Sequence, residues 1–126
     1  MVASGAVKAF DTREFHITLE HQGIMFVDFW ATWCAPCRQF ALVYERAAKL
    51  HPEIVFAAID IEKDSALAEE FQIRSIPHLM VFKHGIAIYS ESGSVPESTL
   101  EELVLQAKAV DVSGIRQQLD EEGETS

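Results

Sequence analysis

Apolar positions along this chain change period several times, and each change marks a new element. Ala6 to Phe10 reads as a short strand. Asp11 stands three residues before Glu14, the spacing of a reciprocal helix cap, and Phe15 and Leu19 form an apolar stripe that ends at Gly23. Ile24 to Ala31 is almost continuously apolar, as in a strand covered on both faces. Phe40, Ala41, Val43, Tyr44, Ala47, Ala48 and Leu50 then recur at helical spacing, predicting a helix from Cys34 to Leu50. Pro36 falls in its first turn, where a missing N–H costs nothing.

Beyond the turn at His51-Pro52-Glu53, Ile54 to Ile61 is a second buried strand. The charges from Asp60 to Asp64 read as a solvated loop, with Asp64 capping a short helix through Phe71. Leu79 to Lys83 and Ile86 to Ser90 predict a hairpin about His84-Gly85, glycine supplying the positive φ. Pro96 to Val110 keeps Leu100, Leu103, Val104, Ala107 and Val110 on one helical face. Val112, Ile115 and Leu119 predict a further short helix begun by Ser113, and Asp120 to Ser126 an acidic, disordered end. The order is βαβαβ, then two hairpin strands and a helix. That order predicts an α/β fold, a central mixed sheet with helices on both faces.

Two features depart from plain patterning. Asp28 interrupts the apolar run, and an unpaired carboxylate there is costly, so burial would raise its pKa. The pattern alone equally allows an acid that reaches water at a strand end. The second feature is Cys34-Ala35-Pro36-Cys37, which holds the chain's only cysteines. Two thiols at this spacing close a disulfide with little backbone movement and can cycle through a mixed disulfide. Cys34 at a helix N-terminus faces unpaired N–H groups and the helix dipole, which favour a thiolate, and Arg38 adds positive charge nearby. Cys37, one turn further in, is expected to be the more buried. Cys34 is therefore the candidate nucleophile and Cys37 the resolving thiol.

The run Val27-Asp28-Phe29-Trp30-Ala31, followed by Trp33-Cys34-Ala35-Pro36-Cys37, resembles the thioredoxin family. Ile76-Pro77, Phe82-Lys83-His84-Gly85 and Gly93 extend the resemblance over roughly Val7 to Val110. It implies the thioredoxin fold. It implies that Asp28 is a buried proton acceptor for Cys37, and that Pro77 is cis and packs against the cysteines. It also implies a substrate-binding rim made by Trp33, Ala35, Pro36, Ile76, Pro77 and Gly93. His78, where threonine is commoner in the family, is a candidate modulator of the thiols if that loop packs as expected. Other departures are Ala58 in place of the lysine near the buried acid, Leu42 in place of a kinking proline, and Ser75 and Ser92 beside the groove. Losing the lysine would raise the pKa of Asp28 further. Without the proline a straighter helix is expected.

Composition narrows the field. A chain of 126 residues is one domain by length and long enough to bury about two-thirds of its unfolded surface. The expected division is residues 1–110 as a thioredoxin-like domain and 111–126 as a C-terminal extension. A net charge of −10 argues against nucleic acid and anionic membranes. A start without a basic segment or apolar core, and two cysteines in one motif, predict a cytoplasmic protein. No cofactor is expected. No metal is expected either, since two cysteines supply only half a zinc site. His16, His21 and His51 are expected to be solvated. The reading is a monomeric protein dithiol–disulfide oxidoreductase that reduces disulfide-containing proteins, with a flavin-dependent thioredoxin reductase as the partner the resemblance implies. The alternative is a client-binding, co-chaperone type module whose dithiol is secondary.

Overall fold

In β2 (Ile24–Trp30) successive side chains leave opposite sides of the strand, and both sides are apolar enough to bury. In the computed structural model, which describes residues 6–21, 23–115, 117 and 118, this strand is the middle of a five-stranded sheet. β1 (Val7–Ala9) and β3 (Val55–Asp60) lie parallel on one side of it, β1 outermost. β4 (His78–Lys83) pairs with β2 antiparallel, and β5 (Ile86–Ser92) pairs antiparallel with β4. The order is β1-β3-β2-β4-β5. The hairpin between β4 and β5 turns on two positive-φ residues, His84 at 49° and Gly85 at 81°. This is the two-residue geometry that matches the twist of the flanking strands.

The sheet is covered by α1 (Thr12–His21), α2 (Ala35–Leu50), α3 (Ser65–Glu70) and α4 (Glu97–Ala109). Phe26, Trp30, Phe56, Leu79 and Val81 form one core with residues of α2 and α4. Met25, Val27, Phe29, Ile59, Met80 and Phe82 form the other with Phe15 of α1 and Leu67 of α3. The predicted elements are all present, with ends shifted by a residue or two. α2 runs unbroken past Leu42.

Three local expectations change. Asp11 and Glu14 do form the reciprocal cap, at 2.7 and 3.2 Å. Asp64, however, makes no side-chain cap on its own helix. Its carboxylate instead accepts from Thr12 N and Thr12 Oγ1, both at 3.2 Å, and so caps α1 from a distance. His51 is not solvated: its ring is half-buried between α2 and α4, with Nε2 2.7 Å from Glu101 Oε2. Asp60 is likewise buried rather than a loop charge, and accepts from Glu62 N at 2.9 Å. After α4, Val112 is buried and residues 113–115, 117 and 118 are helical, their start held by Asp111, which accepts from Ser113 N at 2.9 Å. Leu119 and the acidic end predicted for Asp120 to Ser126 lie outside the described residues.

Candidate active site

β2 ends at Trp30 and the chain turns through Ala31, Thr32 and Trp33 before α2 begins. Cys34 is the N-cap of α2, with extended backbone (φ −91°, ψ 105°), and Pro36 sits in the first turn. The turn is tied by Cys34 N donating to Ala31 O at 3.2 Å and Arg38 Nη1 donating to Thr32 O at 2.9 Å. Capping puts the sulfur of Cys34 where the first free helix N–H groups point, and Cys37 N donates to it at 3.2 Å. Cys34 and Cys37 are joined as a disulfide, their Cα atoms 5.3 Å apart. Both are buried in this oxidised form, Cys37 slightly the more.

The rim about the disulfide is uneven. Trp33 is 65% exposed, and Ala35 and Pro36 are also exposed. The Ile76–Pro77 bond is cis, as the resemblance implied. Pro77 is buried, and half-buried Ile76 packs against the core that contains both cysteines. Gly93 N donates to Pro77 O at 2.7 Å, tying the loop after β5 to the proline. Gly93 has φ +100°, a conformation L side chains rarely adopt, and nothing stands within 4 Å of where a Cβ would be. Exposed Ser75 and Ser92 stand next in the chain to Ile76 and Gly93.

Asp28 is fully buried on the same face as the cysteines. Its register partners are Ala58 on β3 and Leu79 on β4, so neither neighbouring strand offers it a charge. Both carboxylate oxygens lack a hydrogen-bond partner among the described residues. Burial pushes its pKa well above the usual carboxylate range, as the interrupted apolar run predicts.

His78 goes elsewhere. On β4 it shares parity with Met80 and Phe82, which belong to the α1/α3 core, whereas the cysteines lie in the other. Its ring meets Phe29 edge-on at 6.3 Å, and Nε2 and Ser90 Oγ share a hydrogen bond of 2.8 Å. Partial burial, the larger influence, lowers its pKa against a smaller opposing effect of Glu91. The expectation that it lies beside the thiols fails because strand parity sends it to the other face.

Two groups in the cysteine layer carry polar atoms that periodicity treats as apolar. The Trp30 Nε1–H is buried without a partner among the described residues. Tyr44, read from sequence only as one position of a helical stripe, is fully buried and donates to Ala57 O at 2.8 Å. The available signal was the hydroxyl itself, since a buried tyrosine needs a partner for it. Among the described residues no group of three or more His, Cys, Asp or Glu is arranged to hold a metal ion, and no helix is long and apolar enough to cross a membrane.

A disulfide-forming pair at the mouth of a strand-to-helix turn, on a mixed five-stranded sheet, defines a dithiol–disulfide oxidoreductase, and comparison with known proteins agrees. The Thioredoxin family model matches residues 6–106, and the chain belongs to the thioredoxin family. A Streptomyces coelicolor relative is 38% identical over 108 residues, 86% of this chain and 81% of its own length. The thioredoxin of Coprinus comatus is 37% identical over 98 residues, 76% of this chain and 92% of its own. The structure of Plasmodium falciparum thioredoxin superposes with a TM-score of 0.73 at 30% identity, covering 79% of this chain and 97% of that one. The fold is the thioredoxin fold and the activity protein-disulfide reductase. The alternative of a client-binding module with a secondary dithiol is not favoured.

Proposed function

We propose that Cys34 is the attacking thiolate, Cys37 the resolving thiol and Asp28 the acceptor of the Cys37 proton, in a protein that works as a reductant. The observation that carries this reading is the layering of the site. Cys34 Sγ lies at the N-cap of α2 and receives the Cys37 amide, an arrangement that stabilises negative charge on sulfur, while Asp28 lies buried in the same layer. Cys34 thiolate attacks one sulfur of a protein disulfide, and the other substrate sulfur leaves as a thiolate. Cys37 then gives its proton to Asp28 and attacks Cys34. A Cys34–Cys37 bond forms as the Cys34–substrate bond breaks, so two electrons pass to the substrate, whose two thiolates become thiols by taking one proton from Asp28 and one from water.

Trp33, Ala35, Pro36, Ile76, Pro77 and Gly93 form the substrate rim in this reading. The exposed Trp33 ring supplies apolar contact, and the open space over Gly93 admits an extended segment. The electrons come from a flavin-dependent thioredoxin reductase, the protein serves cytoplasmic electron transport as a monomer, and residues 111–126 form an extension to a domain of residues 1–110. The end of the family match at residue 106 supports that division.

In an insulin-reduction assay, Cys34→Ser lowers the rate by about 10³-fold or more. Equal rates in the two proteins overturn the assignment. A Cys34/Cys37 potential below the glutathione poise, about −220 to −260 mV by extraction, supports the reductant direction, and one far above it reassigns the protein to oxidation or isomerisation.

A further inference from the structure

Asp28 would take a proton in the exchange, yet no partner for that proton is in place among the described residues. Among the described residues, β3, β4, α2 and α4 bound the layer that holds it. β3 contributes Ala58 and β4 contributes Leu79, in register on either side. α2 and its N-cap contribute Tyr44, Cys37 and Cys34, and α4 contributes Leu100, Val104 and Ala107 to the same core. Of these described groups only Tyr44 and the reduced cysteines titrate, and the charge of the N-terminus opposes, more weakly, the effect of burial on Asp28.

Tyr44 is aimed at the seam beside Asp28. Its hydroxyl donates to Ala57 O, and successive carbonyls of a strand point to opposite sides within the sheet. Ala58 O accepts from Phe10 N on the β1 side, so Ala57 O faces the other way, toward β2 and the position of Asp28. The phenol hydrogen is thereby committed, which leaves Tyr44 only acceptor lone pairs to offer. A carboxylate has no hydrogen to give to them, whereas a protonated carboxyl has one.

We infer that Tyr44 is a positioning residue for disulfide exchange, whose phenol oxygen holds the Asp28 carboxyl, directly or through one water, once that carboxyl has taken the Cys37 proton. The inference rests on the acceptor role proposed for Asp28. In the transfer the Cys37 S–H bond breaks and an O–H bond forms on Asp28, and that hydrogen points to Tyr44 Oη. The phenol keeps its own proton throughout. Burial, and secondarily the charge of Asp28, raise the Tyr44 pKa well above its usual value, with the bond to Ala57 O opposing them.

The test is the titration of Asp28 in the oxidised protein, where the cysteines do not titrate, followed by ¹³C-carboxyl NMR. Tyr44→Phe keeps the ring and removes the acceptor, so the Asp28 midpoint falls by about half a pH unit or more. Phe40→Leu loosens the adjacent ring, whose centroid is 5.6 Å from that of Tyr44, and leaves the midpoint in place. An unmoved or raised midpoint in Tyr44→Phe, or an equal fall in Phe40→Leu, overturns the inference. The companion measurement is the pH profile for release of thionitrobenzoate from its mixed disulfide with Cys34. If Asp28→Asn leaves that profile unchanged, the acceptor role of Asp28 falls and the role of Tyr44 with it. If Asp28→Asn flattens the profile while Tyr44→Phe moves neither profile nor midpoint, only the inference about Tyr44 falls.

Discussion

β2 sends Met25, Val27 and Phe29 to one face of the sheet and Phe26, Asp28 and Trp30 to the other, and the two faces are built on different principles. Both faces pack aromatic rings, but toward α1 and α3 no buried side-chain polar atom lacks a partner among the described residues. Phe15 makes edge contacts with Phe71 at 5.6 Å and Phe82 at 5.5 Å, and Phe71 and Phe82 meet at 5.7 Å. Toward α2 and α4 lie the cysteines and every buried side-chain polar atom that lacks a partner among the described residues, on Asp28, Trp30 and Glu101. Such atoms cost stability wherever they lie. Confining them to one side lets the opposite core hold the strands in register while the reactive side carries an acid with no hydrogen-bond partner among the described residues. The strands serve both purposes because their side chains alternate.

Removing the aromatic anchor should therefore damage stability and spare chemistry. Phe15 is fully buried, and Phe15→Ala costs about 3–5 kcal/mol by lost transfer energy and the cavity left behind. That is a large share of the roughly 5–15 kcal/mol typical of a domain. The urea midpoint should fall accordingly, while insulin reduction at a temperature where the variant is folded stays within about twofold of the parent. A tenfold loss of activity in folded Phe15→Ala would show that the aromatic face positions the site as well.

The reactive face should behave in the opposite sense. The Asp28 pKa is raised by burial in the folded chain. For a group raised on folding, its contribution to stability is fully present below the unfolded value, about 3.9, and is lost as pH rises through the folded value. Asp28→Asn has no such loss. The variant is expected to be more stable than the parent at pH 7–8 by about 1–3 kcal/mol, the scale of a buried polar group without compensation. The gap should close below pH 4. Unfolding curves of both proteins across that range test the prediction. A gap that widened toward low pH would mean that Asp28 is held as an ion by a partner.

The sequence made these two faces visible to different degrees. The aromatic core follows from apolar periodicity, and Asp28 stood out because one acid in a run of apolar residues has few explanations. The cysteine pair and its helix N-terminus were readable from spacing and Pro36. What escaped depends on register and on contacts far along the chain. Nothing local to Asp64 says that its carboxylate caps α1 rather than α3. His51 looks like a turn residue until α4 brings Glu101 beside it. Tyr44 counts as apolar in any periodicity, yet its hydroxyl finds Ala57 O only once α2 lies over β3. The family resemblance places Ala58 beside Asp28, but Leu79 becomes its neighbour only when β2 and β4 are aligned.

His78 is the sharpest small test, because it is a polar residue on a face built of apolar side chains. One residue earlier or later in the strand it would have pointed toward the cysteines. Its partners are Phe29 and Ser90, and burial is the chief cause that lowers its pKa and so favours the neutral ring. A neutral ring on the far side of the sheet does little to the charge on Cys34. His78→Ala should change the rate of insulin reduction by less than about twofold, while losing the bond to Ser90 costs about 1 kcal/mol. The measurement that matters is the alkylation rate of Cys34 with iodoacetamide between pH 5 and 8. Parent and variant should trace one curve. A displaced curve would mean that His78 acts on the thiols across the sheet, and the division between the two faces would be less complete than their packing indicates.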